Sequence, residues 1–521
     1  MDVAGVARGG TANLIGAAVY GLSGFVLLIV LNRGIGVADA GVVVVAIAIF
    51  NILTVVAGLG TATGLVRTIA RLRALGRAEQ IPHMLRIALT PVAGLGVAAA
   101  AALWFAAPWL ANLFTTDDNT AAVTGVLRAM APFVPIATLH ATIVQATRGF
   151  DTMLPQVMIE KIGRSVAMPI AALLATVAGL GPRGVGVAWA ATNVVALVAS
   201  ARSLRTRVRQ AVVAAEARAG GDEPHPPPGR AETRAFWAFT APRAVAQTSN
   251  VAVNWLDTVI VGAILSTTAA GIYASGTRYL QPGLFASDAL VQVTSPRLSA
   301  LLSTGKTEEA SMLVKVVAGW QTAVMWPIYL LVVLFPTPLL QVFGPEVVAA
   351  RGALIWLSLA MLVVSPLGPT GAVILMAGRS LLAMGNTLVV LAINVIGNLL
   401  VVRTHGITGA GAVWALSILV NEGLTGWQSN RSLRVRTLGR PAFLAVALAA
   451  ATVGVVGAGA RLVLGDGLAG LTVAGSIGGV LYLIGLRRFR SPLHLDTWWS
   501  GVQRSPPTAP LRSRASAQEA P

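Results

Sequence analysis

Long apolar runs recur along almost the whole chain, and they restrict its fold more than any other feature. Each run holds about 20 or more largely apolar residues, the length of a helix that crosses the hydrocarbon core of a bilayer. The 521 residues are 55% hydrophobic and only 11% charged, and their mean hydropathy is +0.75. Soluble proteins do not carry that balance. The pattern therefore predicts an all-α, multi-pass membrane protein.

The apolar runs fall into a group of six and a group of eight. The first six lie near residues 11–31, 41–65, 87–110, 121–147, 156–179 and 184–201. The other eight lie near residues 235–265, 268–296, 311–335, 346–376, 380–402, 407–429, 441–464 and 467–486. We therefore expect about 14 transmembrane helices.

The segment between the two groups has the composition of a solvated linker. It is rich in arginine and contains two adjacent glycines and the run Pro224-His225-Pro226-Pro227-Pro228. Such a composition cannot bury a core. The predicted units are an N-lobe over 1–201, a cytoplasmic disordered linker over 202–234, a C-lobe over 235–429, two further helices over 430–486 and a basic cytoplasmic tail over 487–521.

The basic residues predict the orientation. With the N-terminus inside, the inner loops and ends collect 30 lysines and arginines, and the outer loops collect six. This asymmetry places both termini and the linker in the cytoplasm. The net charge of +18 alone would fit nucleic acid as a partner, but the cations lie in short loops rather than in a basic domain. We therefore expect no nucleic-acid partner.

The chain contains an internal duplication. The segments Gly181–Ala190 and Gly406–Ala415, 225 positions apart, share three glycines, a tryptophan and an alanine at identical offsets. Further matches keep the same order, namely Ala40-Gly41 with Ala270-Gly271 and Leu75-Gly76-Arg77 with Thr304-Gly305-Lys306. Because six spans separate the copies, both have the same orientation. The pattern predicts two parallel six-helix repeats that form facing lobes with a site between them, followed by two C-terminal helices.

Four charges interrupt the seventh and eighth spans. Arg243 and Asp257 lie in the first of these spans, and Arg278 and Asp288 lie in the second. Folding the two spans about the turn Ser266-Thr267-Thr268 brings Asp257 level with Arg278, and Arg243 level with Asp288. A charge at membrane depth is costly, so it is usually paired or faces a watery cavity. We predict that these four side chains line a polar cavity; the alternative is two structural ion pairs inside a bundle.

Two amides belong to the same prediction. Asn254 and Gln247 share a helical face with Asp257, so we expect them to line the same cavity. The other polar residues of the spans are expected to act mainly as hydrogen-bond partners between helices.

Three further charged residues are candidates for roles outside the cavity wall. Glu422 is the acid that lies deep in the twelfth span, where it fits a proton or cation relay or a partner of Arg379 or Arg403. Arg148 and Arg379 lie at corresponding inner loops. There they fit contacts with an anionic headgroup at the cytoplasmic mouth or ordinary anchoring of the spans.

The sequence favours no enzyme class. It has no cysteine, which excludes disulfides, thiolate nucleophiles and cysteine-ligated metals, and its five histidines have no metal-ligand spacing. There is no Gly-x-x-x-x-Gly-Lys-Ser/Thr loop, and Gly-x-Gly-x-x-Gly patterns lie within apolar spans rather than after a strand. We therefore expect no catalysis, metal or cofactor, and movement that is downhill or driven by a gradient.

The motifs after the first two spans carry a resemblance. Leu31-Asn32-Arg33-Gly34-Ile35-Gly36 and Ala40-Gly41 follow the first span, and Gly60, Arg67 and the basic run Arg71–Arg77 follow the second. Together with the duplicated Gly-x-x-Gly-x-Gly-x-x-Trp-Ala pattern, they make the chain resemble the polysaccharide-transporter branch of the multidrug/oligosaccharidyl-lipid/polysaccharide exporter superfamily. The members of that branch are flippases of lipid-linked oligosaccharides.

The resemblance implies a V-shaped pair of six-helix lobes around a central cavity with alternating access. It implies a flippase in the bacterial cytoplasmic (inner) membrane that moves a polyprenyl-pyrophosphate-linked oligosaccharide to the outer leaflet for cell-surface polysaccharide assembly. The pyrophosphate and sugars would lie inside, where arginines can neutralise them, while the tail stays in lipid. Implied partners are the lipid-linked glycan, membrane lipids and other polysaccharide-assembly membrane proteins.

Other functions remain open at this point. A lipid-linked peptidoglycan precursor flippase also has two extra helices, but the first span here carries no mid-membrane arginine. A cation-coupled multidrug exporter usually stops at twelve spans. A membrane glycosyltransferase or polymerase would be expected to have a large outer loop, whereas the outer loops here are short; a non-transporting assembly scaffold is a further alternative.

Overall fold

A computed structural model of the chain describes residues 3–114, 120–219 and 228–495, which fold almost entirely into helices. The helices of the first half are α1 Val3–Gly34, α2 Val37–Ala57, α3 Thr61–Ala74, α4 Ile81–Phe114, α5 Thr120–Met130, α6 Val134–Ala146, α7 Ser165–Val177 and α8 Gly181–Ala219. Those of the C-lobe are α9 Arg230–Ile264, α10 Thr267–Thr277, α11 Gln281–Ser303, α12 Thr307–Leu334, α13 Pro336–Gln341, α14 Arg351–Val364, α15 Thr370–Met376 and α16 Ser380–Leu433. The last four are α17 Arg440–Ala449, α18 Val455–Leu464, α19 Leu468–Val473 and α20 Gly479–Arg488.

Short helical turns of other types join several of these helices. A nine-residue π-helix, Gln156–Arg164, runs directly into α7. The π-helical turns Ala450–Gly454 and Ala474–Gly478 join α17 to α18 and α19 to α20. This architecture confirms the predicted all-α class.

Ten helical units within the described ranges are long and apolar enough to cross a membrane. One of them, α16, covers two predicted spans, because it folds back on itself so that Gly397 lies against Val413. The predicted spans at 156–179, 235–265 and 268–296 are also helical and carry the charged residues discussed below. Following the helices in order therefore gives the 14 expected passes.

The duplicated glycines mark the same turn in both halves. Gly181 (φ 61) opens α8, and Gly406 (φ 58) interrupts α16 at the corresponding point. Residues with a Cβ are strained at such positive φ values, so both turns require glycine. Further along, Gly186 packs against α5 and Gly411 packs against α14. Because α5 and α14 occupy corresponding places in the two halves, the structure confirms the two parallel repeats.

The structure corrects the boundary of the predicted linker. Residues 202–219 are the last turns of α8 rather than a disordered segment, and α9 begins at Arg230. Leu204 and Val208 are buried in a hydrophobic cluster with residues of α3, α4 and α9. Their spacing of four positions gives α8 an apolar stripe that continues beyond the span, and the surrounding arginines conceal this stripe in the composition.

The predicted basic tail starts within described structure and then leaves it. Helix α20 ends at Arg488, and Leu493 is fully buried beside Ala323 and Ala445. The remainder of the tail, 496–521, and residues 220–227 of the predicted linker lie outside the described residues.

The two lobes touch along one end of the bundle. We call the end that carries the turn between α9 and α10 the outer end, following the predicted orientation. There α2 of the N-lobe packs against α10 of the C-lobe, and one hydrophobic cluster contains Leu28 and Val43 together with Phe343 and Leu354. Helix α17 packs against α12, so the last four helices lie beside the C-lobe.

Candidate functional site

A cavity of about 300 Å³ lies between the two lobes. Its walls come from α1, α2, α6, α7, α8 and the π-helix on one side, and from α9, α11 and the turn between α10 and α11 on the other. The polar and charged lining residues are Tyr20, Ser23, Asn51, Thr54, His140, Glu160, Arg164, Trp189, Asn193, Trp255, Arg278 and Gln281. Because charged groups from both lobes meet in this cavity, it is the candidate functional site.

Arg278 is the charged side chain that the C-lobe contributes to the cavity. Helix α10 ends at Thr277, and one 3₁₀ turn, Arg278–Leu280, separates it from α11. The length of α10 places Arg278 about 16 Å below the outer end, near the middle of a hydrocarbon core about 30 Å thick. The guanidinium reaches α1, where its Nη1 lies 3.4 Å from the position of a Cβ built on Gly24.

Arg278 has no compensating acid in the described part of the chain. No described carboxylate forms a salt bridge with it, and its buried Nε has no hydrogen-bond partner. An uncompensated cation at this depth is costly, so the cavity is suited to an anionic ligand.

The N-lobe contributes a charged cluster centred on Glu160. The Glu160 carboxylate pairs with His140 Nε2 through one oxygen and accepts a bond of 2.9 Å from Arg164 Nη1 through the other. His140 Nδ1 lies 3.0 Å from Ser200 Oγ, which fixes the imidazole from its other side. The Arg164 guanidinium lies over the Trp189 ring at 5.7 Å from its centroid. The cluster therefore holds Arg164 at the cavity wall from two directions.

The π-helix sets the geometry of this cluster. The Ser165 hydroxyl donates to the Glu160 carbonyl at 3.0 Å, five positions back along the chain. A π-helix is rare, appears mostly as a single turn inside an α-helix, and is frequent at functional sites. Its wider turn places Glu160 and Arg164 on the side that faces α6 and α8.

The rest of the lining combines amide and aromatic groups with aliphatic side chains. Asn51, Asn193 and Gln281 offer paired donors and acceptors, and Trp255 adds a broad apolar face. The cavity therefore combines cationic groups for an anion with hydrogen-bonding groups that match hydroxyls.

Asp257 takes a different partner from the one its height suggests. Its Oδ2 accepts a hydrogen bond of 2.9 Å from the Tyr273 hydroxyl, and its Oδ1 accepts one of 2.7 Å from the Thr258 backbone. Asp257 is buried between α9 and α10 and is not part of the cavity lining described above. Arg278 is close in height but turns toward the N-lobe, so these two residues do not form an ion pair.

The remaining hairpin residues lie away from the cavity lining. Arg243 is exposed, with its guanidinium 5.8 Å from the centroid of the Phe239 ring. Asp288 is exposed and interacts electrostatically with Lys161 of the N-lobe. Gln247 donates to the Thr63 hydroxyl at 3.0 Å. The side chain of Asn254 lies outside those that the structure describes.

Glu422 lies in a polar cluster within the C-lobe. Its carboxylate accepts hydrogen bonds from the Thr370 hydroxyl and, at 3.0 Å, from Asn421 Nδ2. Thr370 also shares a hydrogen bond with Thr425 at 2.6 Å. Neither Arg379 nor Arg403 forms a salt bridge with Glu422 among the pairs in the described ranges.

The two arginines predicted at the cytoplasmic mouth are both exposed. Arg148 donates to Gln145 Oε1 at 3.1 Å, and Arg379 donates to the Ser432 carbonyl at 3.4 Å. Each guanidinium is hydrogen-bonded within its own lobe and remains partly exposed to solvent.

The outer ends of the lobes are closed by backbone contacts and hydrogen bonds. Asn32 Nδ2 donates to Ser275 Oγ at 2.9 Å, and this bond is buried. Arg33 donates to the carbonyls of Gln341 and Val342, both at 2.9 Å. The cavity therefore lies on the inner side of a closed contact.

Sequence reasoning misses the cluster around Glu160. Neither Glu160 nor Arg164 is among the predicted site residues, and His140 is one of the polar span residues expected to act mainly as hydrogen-bond partners between helices. The signal that identifies them is three charges, Glu160, Lys161 and Arg164, within the first nine residues of the predicted span at 156–179.

A protein-family model matches more than half of the chain. The family is described as "Polysaccharide biosynthesis protein", and the match covers residues 6–302, from α1 to the end of α11. None of the curated proteins matches the chain in sequence.

Several solved structures share the fold. The lipid II flippase MurJ in an inward closed conformation is 12% identical, with a TM-score of 0.71 over 93% of this chain and 99% of that one. A multidrug resistance MATE family transporter of the MOP superfamily, in an inward-facing conformation, is 13% identical, with a TM-score of 0.59 over 80% of this chain and 94% of that one. A Vibrio cholerae MATE transporter is 17% identical, with a TM-score of 0.56 over 84% of this chain and 98% of that one.

Proposed function

The chain belongs to the polysaccharide biosynthesis protein family, within the multidrug/oligosaccharidyl-lipid/polysaccharide exporter superfamily, and on that premise we propose that it is a flippase. Its cargo is a polyprenyl-diphosphate-linked oligosaccharide, which it carries from the cytoplasmic to the outer leaflet by alternating access. The product serves cell-surface polysaccharide assembly.

The observation that carries this proposal is the position of Arg278. It is a guanidinium near mid-membrane that faces the cavity between the lobes without an acid partner among the described residues. A diphosphate supplies the missing anion through charge-assisted and bidentate hydrogen bonds, which suit the fork of an arginine. A neutral or cationic cargo would leave this charge uncompensated.

Arg164 supports the same role from the opposite lobe. Its charge is balanced by Glu160 and its plane is supported by Trp189, so the side chain is oriented before cargo arrives. The buried Nε of Arg164 has no hydrogen-bond partner in the described chain. One guanidinium from each lobe then binds the diphosphate, while Asn51, Asn193 and Gln281 form hydrogen bonds with the hydroxyls of the first sugar.

The cycle follows from the closed outer end. Cargo enters the cavity from the inner side while α2 and α10 are in contact, and neutralising Arg278 removes its electrostatic cost. The lobes then rotate so that α2 and α10 separate and the inner side closes. The polyprenyl tail stays in lipid throughout, because each of its buried CH₂ groups favours an apolar environment by about 0.8 kcal/mol.

The setting of the protein follows from the same proposal. We propose that the protein lies in the inner membrane of a bacterial cell with both termini in the cytoplasm, and the positive-inside pattern supports this orientation. The cargo is made on the inner leaflet and consumed outside, so the assembly partners are the membrane proteins that act before and after this step.

The test is transport in proteoliposomes that contain only this protein. A fluorescent undecaprenyl-diphosphate oligosaccharide loaded in the inner leaflet should become accessible to an external lectin at a rate that depends on the protein. The same vesicles should expose a lipid-linked peptidoglycan precursor more slowly and should not move a cationic dye. Protein-independent exposure of the oligosaccharide, or faster movement of either alternative cargo, would overturn the assignment.

A further inference from the structure

Two arginines from different lobes share one aromatic ring at the inner end of the bundle. Arg67 of α3 lies 4.1 Å from the centroid of the Phe239 ring, and Arg243 of α9 lies 5.8 Å from the same centroid. Both distances fall within the range in which a guanidinium is attracted by an aromatic face. The ring therefore holds two positive charges close together.

Tight packing of α3 against α9 fixes this arrangement. A Cβ on Gly60 would lie 2.6 Å from the Ala244 nitrogen, and a Cβ on Gly64 would lie 3.0 Å from the Phe236 ring. Gly60 is thus nearly in contact with the α9 backbone, and Gly64 lies against α9 side chains. This packing fixes the helix that carries Arg67 relative to the helix that carries Phe239 and Arg243.

The pair has no acidic counterpart among the residues that the structure describes. Neither Arg67 nor Arg243 forms a salt bridge with any described residue, and both side chains are exposed. Gln247 lies one helical turn from Arg243 on α9 and forms a hydrogen bond with Thr63, and neither side chain is charged. Like charges held on one ring repel, so an external anion stabilises the arrangement.

The depth of the pair identifies the source of that anion. Arg243 lies about 30 Å along α9 from its outer end, which equals the thickness of the hydrocarbon core. The two guanidinium groups are therefore at the level of the inner phosphate groups of the bilayer. Farther along α9, Val251 and Trp255 line the cavity, and Val251 is about 12 Å from Arg243.

We propose that Arg67, Phe239 and Arg243 form a binding site for the phosphate group of a membrane lipid at the inner mouth. Resting on the proposed function, this site receives the diphosphate of the cargo before it moves along α9 to Arg278. The same chemistry also fits the headgroup of an anionic phospholipid, and the experiment separates these two sources.

The variants are Arg67→Gln, Arg243→Gln and the double variant, with Arg71→Gln as the matched control. Arg71 is exposed on the same helix, and the described guanidinium groups that lie over the Phe239 ring are those of Arg67 and Arg243. Transport is measured in vesicles of phosphatidylcholine alone and in vesicles that also contain phosphatidylglycerol. We expect the double variant to raise KM about tenfold with kcat within twofold, since two charge-assisted contacts made before the cavity are lost, while Arg71→Gln matches wild type.

The two vesicle types identify the ligand. A rise in KM in both types assigns the site to the cargo diphosphate, and a change seen only with phosphatidylglycerol assigns it to the bulk phospholipid. A double variant that behaves like Arg71→Gln in both types overturns the site.

Binding of undecaprenyl diphosphate without a glycan to the full-length protein in neutral detergent gives a readout that does not need transport. The double variant should bind about tenfold more weakly than wild type, and added salt should reduce the difference. If wild type binds the lipid but transports no oligosaccharide, the proposed function fails while the site stands. Equal binding by wild type and double variant removes the site whatever the transport result.

Discussion

Gly41 and Gly271 face each other where the two lobes meet, and a Cβ on Gly271 would lie 2.8 Å from the Cα of Gly41. The two glycines are also counterparts in the internal duplication, which matches Ala40-Gly41 with Ala270-Gly271. The approximate twofold axis of the molecule therefore passes between them. At this point even a methyl group on either side would force the backbones apart.

This contact predicts the effect of a side chain at the seal. Gly271→Val should hold the outer ends apart and reduce transport at least tenfold, because the lobes no longer return to the closed state. The chain has no native cysteine, so Ser275→Cys can report on the seal by reaction with a membrane-impermeant maleimide. Gly271→Val should raise the labelling of this thiol, whereas Gly125→Val, at a site with open space around the Cβ, should leave it unchanged. Unchanged labelling in Gly271→Val would show that this contact is not the seal.

Arg278→Ala should separate transport from stability. We expect transport to fall about 10- to 100-fold, which corresponds to the loss of about 1.5–3 kcal/mol of charge-assisted bonding. The thermal unfolding midpoint should stay the same or rise, because the substitution removes a mid-membrane charge that has no acid partner in the described structure. Arg183→Ala, at an exposed outer position, is the control. A large loss of stability in Arg278→Ala would favour a structural role.

Glu160→Gln should weaken the N-lobe cluster. It removes the charge that Arg164 and His140 both contact, so we expect a loss of about 1–3 kcal/mol in unfolding free energy together with slower transport. Asp151→Asn is the matched control, since Asp151 pairs with Arg73 at 2.7 Å but is 81% exposed. That change should alter stability by less than about 1 kcal/mol. The thermal unfolding of both variants is measured in the same detergent. Equal losses of stability in the two variants would contradict the prediction.

Tyr273→Phe should destabilise the hairpin of α9 and α10. The substitution leaves the buried Asp257 carboxylate without its donor at 2.9 Å, at a cost of about 1–3 kcal/mol. Tyr482→Phe removes a hydroxyl that donates to the neutral Ala323 carbonyl at 2.7 Å, so it should cost less. The ranking of the two unfolding midpoints checks the prediction, and a reversed ranking would contradict the larger contribution expected of the bond between Tyr273 and Asp257.

Glu422→Gln tests the proposed relay in the C-lobe. The amide oxygen still accepts a bond from Thr370, so the variant should fold normally. We expect transport driven by an imposed proton or sodium gradient to fall to the rate measured without a gradient, because the carboxylate that exchanges the ion is gone. Asn386→Asp is the control variant. Asn386 donates to Gln428 at 2.7 Å, and this substitution shows whether a change of charge elsewhere in the C-lobe also alters the response to the gradient. A full gradient response in Glu422→Gln would exclude the relay.

The sequence was sufficient for the architecture because the dominant signals are local. A run of about 20 apolar residues predicts a span without knowledge of its neighbours, and the glycines at 181 and 406 predict a repeated turn. The end of α8 is harder to predict from the sequence. Its arginines give the segment the composition of a solvated linker, whereas Leu204 and Val208 give it a buried apolar stripe.

The arrangement of the candidate site cannot be predicted from local sequence patterns, because it depends on contacts between distant segments. Folding the hairpin gives the height of Arg278 and Asp257 but not the direction in which each side chain points. The 3₁₀ turn at Arg278 aims that residue at the N-lobe, and α10 supplies Tyr273 to Asp257. The contact of His140 with Glu160 joins α6 to the π-helix, and no spacing within a single segment predicts it.

Helix α9 is shared between the lobes. It packs against α2, α3 and α4 of the N-lobe and against α10 and α16 of the C-lobe. Pro242 lies within it and leaves the carbonyl four residues earlier without its helical partner. A helix that is packed against two bodies has to bend or slide when those bodies tilt. The work of bending α9 therefore adds to the barrier of every transport cycle, whatever cargo is bound.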